Sequence, residues 1–386
     1  MSQYPVIVIG GLHHNTLGVI RSLGFAGFTN IKLILVGNEA DFISCSKYIK
    51  KQNVFRIESD SQLPEVLLKI GKGSSTKPVV ICSSDTSISV IDQNLDELSK
   101  YLILPNAKNK QGEINLLMSK QTQSQIAKQC GFNIPQTISS TDTNALKLWS
   151  IFPCIIKPAE SINGSKSDIK ICYTPDELKL AVQEFQGKGF QLQQFIDKEA
   201  EFQLIGCSLD HGEKCFIPGY TTIIRQPDNT NTGYLIYKGM DGFLSDSFLA
   251  KTHQFFKTIG YEGLFSVEFL RDKTGQDFFM EINMRNDGNA FCVTVSGINL
   301  PRLWVQSKVL HLATEENSKV NPTHFMPEIS DLRVAMHKKM SMYTWLKQCI
   351  KSESHAVFLA KDPAPFIYQI FSETTRIIKK KLFAKL

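Results

Sequence analysis

The stretch GLFSVEFLRDKTGQDFFMEINMRNDGN, residues 263–289, decides how the chain is read. Phe265, Val267 and Phe269 alternate along its first half, and Phe278, Met280, Ile282 and Met284 along its second. A period of two predicts two strands, and Asp272-Lys273-Thr274-Gly275 supplies turn residues between them. Folding this hairpin symmetrically about residues 273–276 sets Glu268 opposite Glu281. Glu268, Glu281, Asn283 and Arg285 then share one face, and the apolar residues take the other. Two carboxylates and an amide oxygen on a rigid sheet make a ligand set for a hard divalent cation. Arg285, two residues further on, suits a phosphate or carboxylate beside that cation. The plainer alternative is a half-exposed hairpin whose polar face meets only water, although facing carboxylates repel unless something neutralises them.

At 386 residues, with 42% apolar and 21% charged side chains, the chain predicts a globular protein of two or three domains. The net charge is +6, and Arg376, Lys379, Lys380, Lys381 and Lys385 supply five of those six in the last eleven residues. The body is therefore nearly neutral, which argues against nucleic acid as a partner. Nine cysteines without a CxxC pair, several in strand-like apolar runs (Cys154, Cys172, Cys292), fit reduced buried thiols and a cytoplasmic setting rather than disulfides or zinc. The apolar run at residues 5–9 is too short for a signal peptide, and no run approaches a membrane span.

From the amino terminus, strands at residues 6–9, 31–36, 54–57 and 79–82 alternate with helices at 15–23, 63–70 and from about 87. That alternation predicts a doubly wound parallel sheet over residues 1–110. Gly10, Gly11 and Gly18 do not match G-x-G-x-x-G, and Gly37-Asn38-Glu39 gives no clear acid after the second strand, so no dinucleotide fingerprint is present. Such sheets still bind ligands at the carboxyl ends of their strands, which makes Asn15, Ser84 and Asp85 candidates for a small-molecule pocket. Helix capping and turn chemistry explain the same residues equally well.

A helix over 111–130 carries Lys120, and a strand at 152–158 ends in Lys157-Pro158. The loop that follows, Glu160-Ser161-Ile162-Asn163-Gly164-Ser165-Lys166-Ser167, has the composition to lay backbone N–H groups over phosphates, or simply to be a hairpin tip. Further strands are expected at 169–172, 190–196, 201–207, 215–217 and 222–225, with a turn over 197–200 and a capped helix from Thr174.

In this order and spacing the chain resembles the ATP-grasp superfamily and, within it, the carboxylate–amine ligases, including D-aspartate ligase-like members. The resemblance covers residues 5–310, and its most specific part is Glu268 followed by Glu281-Ile282-Asn283-Met284-Arg285, an acid and then E-x-N-x-R. It implies an α/β and α+β architecture. A pre-ATP-grasp Rossmann-like domain spans 1–110, and a two-lobed ATP-grasp domain spans 111–315 (small lobe 111–195, large lobe 196–315). A mostly helical extension covers 316–386. It implies ATP held by Lys120, Lys157, the loop residues Ser161, Gly164 and Ser165, the hinge Gln193, Gln194, Phe195 and Ile196, and Glu201 at the ribose. Mg²⁺, with Mn²⁺ as an option, would sit on Glu268, Glu281 and Asn283. Arg285 and Lys157 would act on the transferring phosphoryl group. Arg225, in an R-Q-x-P stretch, would lie near the phosphates or the acyl substrate. Substrates would be a small-molecule carboxylate and amine, for example an amino acid added to a cell-envelope precursor. A non-ligase member, kinase-like, carboxylating or regulatory, is the alternative. A homodimer is suggested by the family alone.

The sequence departs from that pattern in places. Gln193 stands where the first hinge residue is often Glu, Glu199 competes with Glu201 for the ribose, and the loop has Gly164 as its one glycine. In the extension, a strand at 328–333, a basic Met-rich helix over 336–351 and an amphipathic helix over 367–386 are expected. The lysines at the end suit a helix C-terminus packed in the ordinary way, or weak contact with an anionic membrane surface.

Overall fold

The computed structural model describes the chain except residues 38–40, 143, 145–148, 159–168, 186–188, 227–231, 312–318 and 384–386, with backbone alone at 373 and 376–383. The loop residues Ser161, Gly164 and Ser165 therefore lie outside the described residues. Two compact units make up the chain. The larger holds Met1–Ile126, Phe202–Glu268 and Glu281–Leu386, and the smaller holds Ala127–Glu201 and Phe269–Met280. The sequence boundaries at 110 and 315 do not separate these units, and the extension belongs with the amino-terminal residues.

The larger unit opens with β1 (Val6–Gly11), α1 (His14–Phe25), β2 (Ile31–Val36), β3 (Val54–Ile57), α2 (Leu63–Lys72), β4 (Val79–Cys82) and α3 (Asp85–Gln93). The strands form a sheet of order β3-β2-β1-β4, parallel throughout. Unbroken apolar runs such as Val6-Ile7-Val8-Ile9 are wholly buried, as strands covered on both faces must be. This order makes β1 and β4 neighbours, so the turn before α1 and the turn before α3 lie side by side. The helices start earlier than their apolar periodicity suggests. The His13 side chain accepts the Asn15 N–H and the Ser84 side chain accepts the Ser87 N–H, which caps α1 and α3.

Next come α4 (Leu95–Leu98), β5 (Asn106–Ala107), α5 (Glu113–Leu117) and α6 (Lys120–Gln129). The single helix expected over 111–130 is thus two, because Ser119 starts a new one by accepting the Thr122 N–H at Oγ, 3.5 Å. The smaller unit contains β6 (Thr137–Ser140), β7 (Cys154–Pro158), β8 (Lys170–Cys172), α7 (Pro175–Val182) and β9 (Phe190–Gln194). Its antiparallel sheet, of order β6-β9-β7-β8, buries Ile156, Phe190 and Leu192 against Leu178 and Val182 of α7.

The chain continues through β10 (Lys198–Leu209), β11 (Lys214–Phe216), β12 (Gly219–Arg225), β13 (Tyr234–Gly239), α8 (Asp246–Ile259), β14 (Tyr261–Asp272) and β15 (Asp277–Asn283). The turn expected over 197–200 is shorter than read, since β10 begins at Lys198. Then follow α9 (Phe291–Val295), α10 (Leu300–Leu310), β16 (Thr323–Met326), α11 (Glu328–His337), α12 (Met342–Lys351), β17 (Ser354–His355) and α13 (Ala364–Phe383). A second sheet runs β15-β14-β10-β12-β13-β16-β17, with β11 on β10 and β5 on β14.

The deciding hairpin forms, with a tighter turn than the symmetric fold. Gly275 N–H donates to Asp272 O and Asp272 N–H to Gln276 O, both at 3.0 Å, with Gly275 at φ +85°. Glycine is favoured there because that backbone region is left-handed. Asp272 therefore faces Gln276 rather than Asp277. The alternation then shifts by one where Phe278 and Phe279 are buried in succession. Beyond that shift the polar face is restored.

In the extension, the strand expected at 328–333 is the start of α11, whose first turn carries Glu328 and Asp331. The added strand is β16. The helix expected over 336–351 breaks between α11 and α12, with Lys339 at φ +53°. A buried ion pair ties the extension to the amino-terminal residues. Arg21 Nε of α1 lies 3.0 Å from Asp362 Oδ2, and Ser46 Oγ and Lys47 N–H also donate to that carboxylate. All nine cysteines are free thiols. Among the described residues no helix is long and apolar enough to cross a membrane.

Candidate active site

In the larger unit α6, β14 and β15 bring the expected cation ligands together. Lys120, the first residue of α6, places Nζ 2.7 Å from Glu281 Oε2. Asn283 donates from Nδ2 to Glu268 Oε1 at 3.3 Å and to Ser266 Oγ at 3.4 Å. Its Oδ1 accepts from Arg285 Nη2 at 3.3 Å. Burial pushes the Lys120 pKa down, but Glu281 and Glu268 outweigh it and hold the ammonium above the ordinary lysine value.

Gln123, which the sequence reading missed, sets the position of Lys120. It is buried one turn along α6, donates to Ile282 O at 3.1 Å and accepts the Ile282 N–H at 3.0 Å. The side-chain amide acts as an extra ladder rung, fixing α6 to β15 between Glu281 and Asn283. A glutamine three residues after a lysine is too common a pattern to signal this without the fold.

Arg285 grips Asp85 with two prongs, Nε to Oδ1 at 3.0 Å and Nη2 to Oδ2 at 3.1 Å. Its Nη1 donates to Asn286 O at 3.3 Å and lies 3.9 Å from Asp287 Oδ2. Burial pushes the guanidinium pKa down, and Asp85 and Asp287 more than reverse it. Asp287, also unread in the sequence, is buried and fixed by Gln203 Nε2, Ser266 Oγ and the Asn289 N–H at 2.8–2.9 Å.

The three candidates at the strand ends divide. Asn15 spends both amide hydrogens on Ser83 O and Asn286 O, and its Oδ1 accepts from Asn286 Nδ2 at 2.6 Å. It ties three turns together, the turn chemistry that was its plainer reading. Ser84 is the cap of α3, the plainer of its two readings. Asp85 alone meets a predicted catalytic group, Arg285. Beside them His13 accepts the Asn15 N–H at Nδ1, 3.2 Å, which leaves its proton on Nε2. Burial, and then Arg285, push its pKa below the ordinary imidazole value, while Asp287 pulls it back.

The donor set fits a hard cation. Among the described residues no three His, Cys, Asp or Glu side chains gather as metal ligands. The face offers two carboxylates and an amide instead, all oxygen donors, as Mg²⁺ prefers when a ligand's phosphates complete its shell. Glu268, Glu281, Asp85 and Asp287 against Lys120 and Arg285 give these six groups a formal charge of −2.

In the smaller unit Lys157 Nζ donates to Gln193 Oε1 at 2.8 Å, so the lysine expected at the phosphates and the expected first hinge residue meet. Gln194 accepts the Gln136 N–H with its side chain and donates its own N–H to Gln136 O. The Phe195 N–H goes to Pro153 O, and Ile196 is buried. Glu201 pairs with Lys198 at 2.6 Å, while Glu199 is exposed.

Arg225, expected beside the phosphates or the acyl substrate, is buried in other contacts. Nε and Nη2 grip Asp331 of α11 at 2.9 and 2.6 Å, and Nη1 donates to Gln348 of α12 at 3.0 Å. Its guanidinium also lies over the Tyr234 ring.

No family model matches the chain. Its architecture matches solved structures across most of its length. N5-carboxyaminoimidazole ribonucleotide synthetase in its ADP complex aligns with a TM-score of 0.61 at 12% identity, covering 84% of this chain and 81% of that one. L-amino acid ligase from Bacillus licheniformis aligns with a TM-score of 0.60 at 17% identity, covering 84% and 80%. Biotin carboxylase from Campylobacter jejuni aligns with a TM-score of 0.60 at 19% identity, covering 84% and 75%. The likeness is one of fold, shared with these three enzymes over more than four fifths of this chain. In sequence, the chain is 23% identical over 335 residues to the D-aspartate ligase of Enterococcus faecium, covering 80% of this chain and 77% of that enzyme.

Proposed function

We propose that this chain is an ATP- and Mg²⁺-dependent ligase that joins a carboxylate to an amine and releases ADP and phosphate. The observation that carries the reading is the assembly of Lys120, Glu268, Glu281, Asn283 and Arg285 on one face. The likeness to D-aspartate ligase supports it and suggests an amino dicarboxylate as the acid. Amino-acid addition to a cell-envelope precursor remains the acceptor side of the proposal.

The chemistry needs little covalent help from the protein. A substrate carboxylate oxygen attacks the γ-phosphorus of ATP and ADP departs. The amine nitrogen then attacks the acyl carbon, phosphate leaves with the C–O bond electrons, and the proton shed by the nitrogen passes to the departing phosphate or to water. Mg²⁺ on Glu268, Glu281 and Asn283, or Mn²⁺ with similar ligand preference, would supply positive charge at the phosphate oxygens. Lys120 and Arg285 add fixed positive charge, each such group being worth about 2.7–4 kcal/mol of barrier. Asp287, held by Gln203 and Ser266, fixes the angle at which Arg285 presents its donors. The roles of Lys157, Gln193, Gln194, Phe195, Ile196 and Glu201 toward ATP are part of the same proposal, as is a homodimer.

The test is phosphate release from MgATP across a panel of amino acids, other amines and bicarbonate, with Glu281→Ala as control. Release that requires both an acid and an amine, and is lost in the control, supports a ligase. Release with bicarbonate alone would move the chain to the carboxylating members.

A further inference from the structure

We propose that the outward face of α12 seats this protein on an anionic lipid surface, with Tyr343, Leu346 and Ile350 entering the headgroup layer and the lysines around them meeting the headgroups. The three residues fall at i, i+3 and i+7, one stripe of a helix, and they are 76%, 48% and 78% exposed. Met342 beside them and Met336 at the end of α11 are exposed as well. The opposite face is anchored. Trp345 is buried and donates to Asp331, and Gln348 accepts from Arg225. α12 is therefore held to the fold by one side and presents a large apolar stripe on the other, an arrangement that a chain meeting only water has no reason to keep.

Charge selects the occupant. Residues 332–352 carry Arg333, Lys338, Lys339, Lys347 and Lys351 and no acid. All five are exposed, and Lys347 and Lys351 follow Tyr343 at i+4 and i+8, along the edge of the stripe. These five charges and the five of residues 376–386 exceed the net +6, so the other residues sum to −4. An apolar stripe edged by lysines, on a chain whose other residues carry a slight negative excess, is the pattern of a helix lying in an anionic interface. A second copy of this chain fits worse, because a two-fold contact through α12 sets lysines against lysines. α13 presents further exposed apolar side chains, Ile367, Ile370 and Phe371.

The experiment is vesicle co-sedimentation of the full chain. One set of vesicles is phosphatidylcholine alone and the other contains about 30 mol% phosphatidylglycerol, each at low and high salt. The expected result is binding to the anionic set only, weakened by salt. Partitioning should drop at least about tenfold in Tyr343→Ser/Ile350→Ser and in Lys347→Glu/Lys351→Glu, with phosphate release in solution unchanged. No binding to either set overturns the proposal. So does binding that survives both variants and disappears only in Lys379→Glu/Lys380→Glu/Lys381→Glu, which assigns it to the tail. A concentration-dependent dimer in sedimentation velocity that Tyr343→Ser/Ile350→Ser abolishes would give the stripe to self-association and overturn it as well.

Discussion

Arg285 and Asp85 stand 200 positions apart in the chain and meet in a two-pronged ion pair, Nε–Oδ1 3.0 Å and Nη2–Oδ2 3.1 Å. The carboxylate occupies the fork that a substrate carboxylate or transferring phosphoryl group would use. Asp85 is half-exposed, so its hold on the arginine is weak, about 0.2–1 kcal/mol for a pair of this kind. We predict that Asp85→Asn frees the fork and tightens inhibition by inorganic phosphate up to about fivefold. Arg285→Lys, which loses the fork, should lower kcat about a hundredfold. Weaker phosphate inhibition in Asp85→Asn would show instead that Asp85 orients Arg285 rather than competing for it.

Gln193 and Lys157 form a second pair with a functional reading. A neutral amide oxygen accepts from the ammonium at 2.8 Å, so this contact sets no opposing charge on Lys157. With Lys157 on the ATP phosphates as proposed, Gln193→Glu would convert this into an ion pair that those phosphates must displace. The expected outcome is a rise in the KM for ATP of about threefold to tenfold with little change in kcat, measured by initial rates. A KM that falls would mean that the glutamate gains more from the nucleotide than it takes from Lys157.

The deciding hairpin was legible because alternation and turn chemistry are local signals. Its register was not, because a tight turn sets Asp272 against Gln276 and two consecutive buried phenylalanines break the alternation. Glu268, Glu281 and Asn283 came together although the turn between them was misplaced. The parallel sheet was visible in its buried apolar runs. Gln123, Asp287 and His13 were invisible because their partners lie far along the chain, at Ile282, Gln203 and Arg285. The strand expected at 328–333 failed for a related reason. Its acids belong to the first turn of α11, and Asp331 is there to meet Arg225 from β12.

Glu262 makes a prediction about pH. Burial alone would push its pKa up, but the Lys308 ammonium at 2.7 Å and the His211 N–H at 3.0 Å outweigh that and hold it below the ordinary glutamate value. A depressed folded-state pKa stabilises the protein above the unfolded value, about 4.3, and that stability is lost as pH falls through the folded one. Glu262→Gln should lower Tm at pH 7, at a cost of about 1.5–3 kcal/mol for hydrogen bonds to a charged group. The gap from the unsubstituted protein should close below about pH 4. Melting curves from pH 3 to 7 check it; a gap of constant size would mean that charge is not what Glu262 contributes.

Arg225 separates support from chemistry. Its guanidinium is buried, gripped by Asp331 and held by Gln348, so removing it leaves a carboxylate buried without its cation. Arg225→Met should destabilise the fold by about 3–5 kcal/mol, read as a fall in the urea midpoint at unchanged slope. Arg225→Met/Asp331→Leu removes both charges together and should recover most of that loss, since a well-packed apolar pair often replaces a buried ion pair at little cost. If Arg225 acts only by joining β12 to α11 and α12, the double variant keeps kcat within about threefold of the unsubstituted enzyme once folded. If Arg225 also touches the phosphates or the acyl substrate, the double variant is stable and still slow, with kcat down about a hundredfold. The single variant cannot distinguish these cases, because unfolding and lost chemistry both abolish turnover, so the stability-restored pair is the measurement that assigns the residue.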